Sequence, residues 1–152
     1  DVTANYVAKW NGSSWSALSS GMNSQVEALA VSGTNLYAGG WFTTAGDVTA
    51  NCVAKWNGSS WSALGSGMNS QVNALAVSGS DLYAGGWFTA AGGVPANHIA
   101  KWDGSSWSAL GSGMNSQVNA LAVSSSDLYA GGNFTAAGGV AANRIAKWNG
   151  SS

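Results

Sequence analysis

Charge is what this chain has least of. Only 7% of its 152 residues are Asp, Glu, Lys or Arg, and they nearly cancel, leaving a formal net charge of −1. An average domain carries about 25%. Binding through phosphates needs a basic stripe, and none is present, so nucleic acid is excluded as a partner. Attraction of Lys and Arg to an anionic membrane surface is excluded on the same ground. Cysteine is reduced to Cys52 alone, which rules out an internal disulfide. The single histidine, His98, cannot anchor a Ser-His-Asp set, and no Gly-x-Ser-x-Gly elbow accompanies it. His98 and Cys52 have no companions with metal-ligand spacing. No run approaches the roughly 18 apolar residues of a membrane span, and no signal peptide can be read. The chain starts at Asp1, in mid-repeat, as expected of a processed chain or a piece of a longer one.

Gly, Ser, Ala and Asn fill the space left by charge, but nine Trp and a strict apolar alternation argue against disorder. The alternation belongs to a repeat. Val7 to Leu18 reads VAKWNGSSWSAL, Val53 to Leu64 is identical, Ile99 to Leu110 reads IAKWDGSSWSAL, and Ile145 to Ser152 reads IAKWNGSS. Trp10, Trp56, Trp102 and Trp148 are each 46 residues apart, and residues 47–92 and 93–138 differ at only seven positions. A fixed period of that size means a repeat architecture. The chain divides into a partial unit 1–46, repeats 47–92 and 93–138, and a partial repeat 139–152.

Within the period, Trp10 and Trp15 flank Asn11-Gly12-Ser13-Ser14. Asn-Gly, or Asp103-Gly104 in the third copy, supplies the positive φ of a tight hairpin. Ala8 and Trp10 share one face, as do Trp15 and Ala17. A polar loop holding Met22, Met68 or Met114 follows, each Met an expected apolar anchor. The run Val26–Val31 is too short for a helix and reads as a strand covered on both faces. A turn at 32–35, where Asn35 becomes Asp81 and Asp127, leads to the strand Leu36–Thr43. Its Gly39-Gly40 pair predicts a bulge or a close backbone approach. Four short strands per period of 46 predict an all-β chain of four-stranded propeller blades, thirteen strands in all. A β-helix, whose rungs repeat over shorter spans, is the competing architecture.

The Gly pair after a hydrophobic strand, followed by Trp56 and Trp61 on the next two strands, resembles a kelch-type repeat. The pattern AGG-x-FT, then IA-x-W-(N/D)G-x-x-W-x-xLG-x-G, is more similar still to the fungal cortical cell-polarity marker family and its bacterial secreted relatives. Residues 38–43 with 53–67, and 84–89 with 99–113, carry it, and the resemblance spans essentially the whole chain. It implies a propeller fold and an extracellular or cell-surface setting. The WNGSSW hairpin alone is also similar to propeller lectins of the tectonin and fucose-binding types. The copper chemistry of kelch-like galactose oxidase is not implied, because its Tyr, His and Cys ligand set is missing.

The functional expectation is a non-catalytic interaction module with no catalytic residue, no metal site and no cofactor. Three blades cannot close around a channel, since propellers need about four to eight. Two chains could form a six-bladed ring, a longer parent could supply more blades, or copies could stack in an open array; the homodimeric ring is favoured. Residues 1–14 and 139–152 encode the same strand, so one copy is expected to be displaced at each junction. The alternative function is a glycan-binding lectin with one shallow site per blade. Its candidate residues are Trp41, Trp87 and Asn133, a position too variable for deep core and suited, where it is Trp, to a sugar ring. Lys9, Lys55, Lys101 and Lys147 are expected to lay their stems over the neighbouring aromatics. Tyr6, Cys52, His98 and Arg144 share a position expected near the surface.

Overall fold

The computed structural model describes residues 2–151, so Asp1, counted among the acids, and Ser152 lie outside it. Secondary structure is entirely strand and turn, with no helix among these residues. The chain opens with β1 (Ala8–Trp10) and β2 (Trp15–Ala17), paired Ala8↔Ala17, Lys9↔Ser16 and Trp10↔Trp15. The next unit comprises β3 (Val26–Ser32), β4 (Asn35–Gly40), a short pair β5 (Thr44–Ala45) and β6 (Val48–Thr49), then β7 (Val53–Trp56) and β8 (Trp61–Ala63). The second repeats it as β9 (Val72–Ser78), β10 (Asp81–Gly86), β11 (Ala90–Ala91), β12 (Val94–Pro95), β13 (Ile99–Trp102) and β14 (Trp107–Ala109). The third holds β15 (Val118–Ser124), β16 (Asp127–Gly132), β17 (Ala136–Ala137), β18 (Val140–Ala141) and β19 (Ile145–Trp148).

The main strands form antiparallel sheets in the orders β3-β4-β7-β8 and β9-β10-β13-β14, and a three-stranded sheet β15-β16-β19. With β1 and β2 these are the thirteen strands expected. The two-residue pairs β5-β6, β11-β12 and β17-β18 are additional, and their brevity left no pattern to read. Each pair is tied to the methionine loop before it, through bridges Met22↔Ala45, Met68↔Ala91 and Met114↔Ala137. An asparagine completes the tie: Asn69 Oδ1 accepts from the backbone N–H of Thr89 and Ala90, and its Nδ2 donates to Thr89 Oγ1. Asn23 and Asn115 do the same. Met22 and Met68 are buried as anchors, and Met114 is half-buried.

The core lies between units as much as within them. Phe42, Phe88 and Phe134, fully buried, centre three clusters. The first joins Leu18 and Met22 of one unit to Trp61 of the next. The second gathers Ala30 and Tyr37 of one sheet with Leu75 and Val77 of the next; the third gathers Ala76 and Tyr83 with Leu121 and Val123. The glycine pair does both things expected of it. The register shifts between Val26 and Ala28 opposite Gly39-Gly40, a bulge. A Cβ on Gly39 would stand 2.5 Å from Val72 Cγ1 of the next sheet, so only glycine lets the two sheets meet this closely. Asn73 also crosses from β9 to β15, its Nδ2 2.9 Å from Val118 O.

Three expectations need correction. The run Ala28-Leu29-Ala30-Val31 was expected to be covered on both faces, but in β3 Leu29 and Val31 stay exposed; only β9, with a neighbour on each side, is covered on both. The hairpin asparagine does not take a positive φ; only its glycine does, at +102° for Gly12. Asn11 serves instead as a side-chain acceptor, its Oδ1 2.9 and 2.8 Å from the N–H groups of Ser13 and Ser14. The Tyr6, Cys52, His98 and Arg144 position is not uniformly at the surface, since Cys52 is buried and His98 half-buried. What its occupants share is a left-handed backbone, with φ of +63° to +66°.

Candidate functional site

Two kinds of surface could carry function. One is the position after each glycine pair. Trp41, Trp87 and Asn133 are held alike, their backbone N–H groups donating to Gln25, Gln71 and Gln117 carbonyls at 2.9, 2.9 and 3.0 Å. Trp41 and Trp87 are 52% and 50% exposed. The fold places one such residue on each sheet and does not gather the three into one site. Beside Trp41 lies a cavity of 420 Å³ lined by Asn51, Cys52, Met68, Asn69 and Ser70. It has an aromatic wall and amide groups, the elements of a shallow polyol site.

The chemistry near this groove is inert. Burial pushes the Cys52 thiol above its ordinary value, so little nucleophilic thiolate forms near neutral pH. That also argues against Cys52 as a ready partner in an intermolecular disulfide. His98 donates through Nδ1 to Gly86 O at 3.2 Å, a structural bond. No group of three or more His, Cys, Asp or Glu that could hold a metal occurs among the described residues. Lys101 and Lys147 pair with Asp81 and Asp127 at 3.3 and 3.2 Å, so these two Asp carry an ion pair besides shaping a turn. Half-exposed pairs of this kind contribute about 0–1 kcal/mol.

Among the described residues, Asp103 has the one strongly displaced carboxyl. The N–H groups of Ser105 and Ser106, then the Ser105 hydroxyl, hold it well below its ordinary 3.8. Asn11 and Asn57 make the same backbone bonds without charge. The stabilisation from a depressed carboxyl is complete above the unfolded value and fades as pH falls below it. Asp103→Asn is therefore expected to match the parent at pH 7 and to lose less stability on acidification. Urea midpoints at neutral pH and at about pH 2.5 check this.

The second kind of surface is formed by the two ends of the array. At the first sheet, Leu29 and Val31 are 52% and 65% exposed. At the last, Ala120, Ala122 and Tyr129 are exposed. Among the described residues the last sheet has three strands, and along the outer side of β19 lies a cavity of 520 Å³ bordered by Leu110, Gly111, Met114, Gly138, Ala146 and Trp148. Sequence patterning could not locate these surfaces. Leu29, Leu75 and Leu121 occupy the same place in near-identical repeats, and their covering depends only on whether another sheet follows.

No family model and no curated protein sequence matches the chain. Among solved structures it is similar to the computationally designed Ika8 protein, crystal packing No.1 in P63, with a TM-score of 0.53 and 19% identity over 87% of this chain. That match covers 39% of the Ika8 chain, so the present chain spans about two fifths of its length. The computationally designed Ika4 protein matches with a TM-score of 0.38 and 19% identity over 86% of this chain and 94% of that one. The likeness to Ika8 concerns the fold alone, an all-β arrangement of small antiparallel sheets.

Proposed function

We propose that the chain is a non-catalytic, extracellular structural and interaction module made of kelch-like propeller blades, which assembles through blade–blade contacts between copies. The observation that carries the reading is the relation between the two end faces. Inside the chain, Leu75 and Val77 share one core cluster with Ala30 and Tyr37 of the sheet before, and Leu121 and Val123 share another with Ala76 and Tyr83. The ends present the two halves of that same contact, Leu29 and Val31 at one and Ala122 and Tyr129 at the other. A second copy can cover both, and the resulting contact is head-to-tail. Two chains closing on each other give six blades, within the range in which propellers close.

Light scattering over a range of concentrations tests this. A constant two-chain mass supports the closed ring, and a mass that grows with concentration supports an open array. A single-chain mass at every concentration sinks the reading.

The groove beside Trp41 favours a second reading, multivalent glycan binding with one shallow site per blade at Trp41, Trp87 and Asn133. On a glycan array, binding that Trp87→Ala weakens supports it. No binding to any glycan removes it.

A further inference from the structure

We infer that, for the chain 1–152, the cavity on the last sheet is the seat of Trp15 from a second copy, whose β2 pairs beside β19 as a fourth strand; the inference rests on the self-assembly reading. The two complete sheets show what belongs there. Trp61 is buried, and its Nε1 donates to Leu18 O of the preceding unit at 2.9 Å; Trp107 donates likewise to Leu64 O at 2.9 Å. Each leucine carbonyl also accepts an N–H from the glycine of its turn, and Leu110 O takes that bond from Gly113. The described residues offer Leu110 O no indole.

The glycines around the cavity record the same missing ring. A Cβ on Gly46 would meet Trp61 at 3.2 Å, and one on Gly92 would meet Trp107 at 2.9 Å; on Gly138 it would meet nothing within 4 Å. A Cβ on Gly65 would touch both Trp102 and Trp107, whereas one on Gly111 would touch only Trp148. Trp15, the counterpart of Trp61 and Trp107, is 58% exposed at the other end of the chain.

The exchange conserves the ladder. β2 gives up Ala8↔Ala17, Lys9↔Ser16 and Trp10↔Trp15 within its own chain. It gains Ala17, Ser16 and Trp15 opposite Ala146, Lys147 and Trp148 of the partner copy, the register of Ala100↔Ala109, Lys101↔Ser108 and Trp102↔Trp107. The strand released is β1, which carries the same Ala-Lys-Trp as β19. What is gained is burial of the Trp15 indole with its hydrogen bond, while Ile145, 67% exposed, takes the covered place that Val7, 7% exposed, gives up with β1.

Two preparations, one carrying Ala17→Cys and the other Ala146→Cys, both with Cys52→His as in the following repeat, are mixed and oxidised. A covalent heterodimer is expected in the mixture. Trp15→Ala is expected to keep its melting midpoint at a concentration where the chain is monomeric and to associate at least about tenfold more weakly. If the parent chain assembles but no heterodimer forms, or Trp15→Ala assembles as tightly as the parent, the inference is overturned and self-assembly through the end faces stands. A parent that stays a single chain overturns both.

Discussion

Gly131→Ala is expected to leave the single chain as stable as the parent while weakening its association, whereas Gly85→Ala should unfold it more easily. The two glycines occupy the same place in successive repeats and differ only in what lies above them. A Cβ on Gly85 would stand 2.5 Å from Val118 Cγ1 and 3.0 Å from Val118 Cβ. Valine has no flexible end with which to yield, so β15 must move away from β10. Overpacking of this kind costs about 1–3 kcal/mol. A Cβ on Gly131 would find only Arg144 O at 3.8 Å and Ala120 Cβ at 4.0 Å, which is ordinary contact. In a head-to-tail assembly, Val26 of the next copy takes the place that Val118 holds over Gly85. The same clash then falls on association and raises the dissociation constant by roughly ten- to a hundredfold. Denaturant midpoints of both variants and light scattering of Gly131→Ala check the pair. An assembly that tolerates Gly131→Ala does not use this face.

The second large effect is expected at the tryptophans. Trp107 is 6% exposed and packs in the cluster centred on Phe88, with its indole bonded to Leu64 O. Trp107→Ala removes the ring, leaves a cavity beside Gly92 and takes one acceptor's bond away. A buried Trp→Ala change costs about 3–5 kcal/mol, against a total stability of about 5–15 kcal/mol for a domain. Trp15→Ala, at the same place in the repeat, removes a ring that touches Trp10 at a centroid distance of 5.4 Å and is otherwise open to solvent. Its effect on the stability of the single chain should stay within about 0.5 kcal/mol. Urea unfolding at a concentration where the chain is monomeric measures both. A large loss at Trp15 under those conditions would mean that the first hairpin is packed more tightly than the structure has it.

Much of the fold was legible because the repeat encodes it several times. The period of 46, the Asn-Gly or Asp-Gly turn between two tryptophans, and the glycine pair each depend on local chemistry. The first hairpin, the bulge at Gly39-Gly40 and the β3-β4 pairing follow from that chemistry. The left-handed backbone at Tyr6, Cys52, His98 and Arg144 was not legible. Glycine or asparagine would have signalled it, whereas four unlike side chains suggested a loose surface position. The asparagine ties from Asn23, Asn69 and Asn115 to the following loop were hidden for a different reason. Their partners lie 20 and 21 residues away and are, apart from one threonine hydroxyl each, backbone N–H groups, which leave no trace in composition. Trp41 and Trp87 could be placed outside the core because the third copy holds Asn133 there. The end faces could not, since the letters of the first, second and third sheets are nearly the same.

Every contact that orders one sheet against the next is local to that pair. Among the described residues, Gly39 lies against Val72 and Gly85 against Val118, each a contact between neighbouring sheets. If the sheets are propeller blades as proposed, the approach that a bare glycine allows a valine would set the tilt between them and so the number of units in a full turn. In the proposed ring, cutting the gene at a different multiple of the period would change how many chains complete the circle and leave its circumference alone.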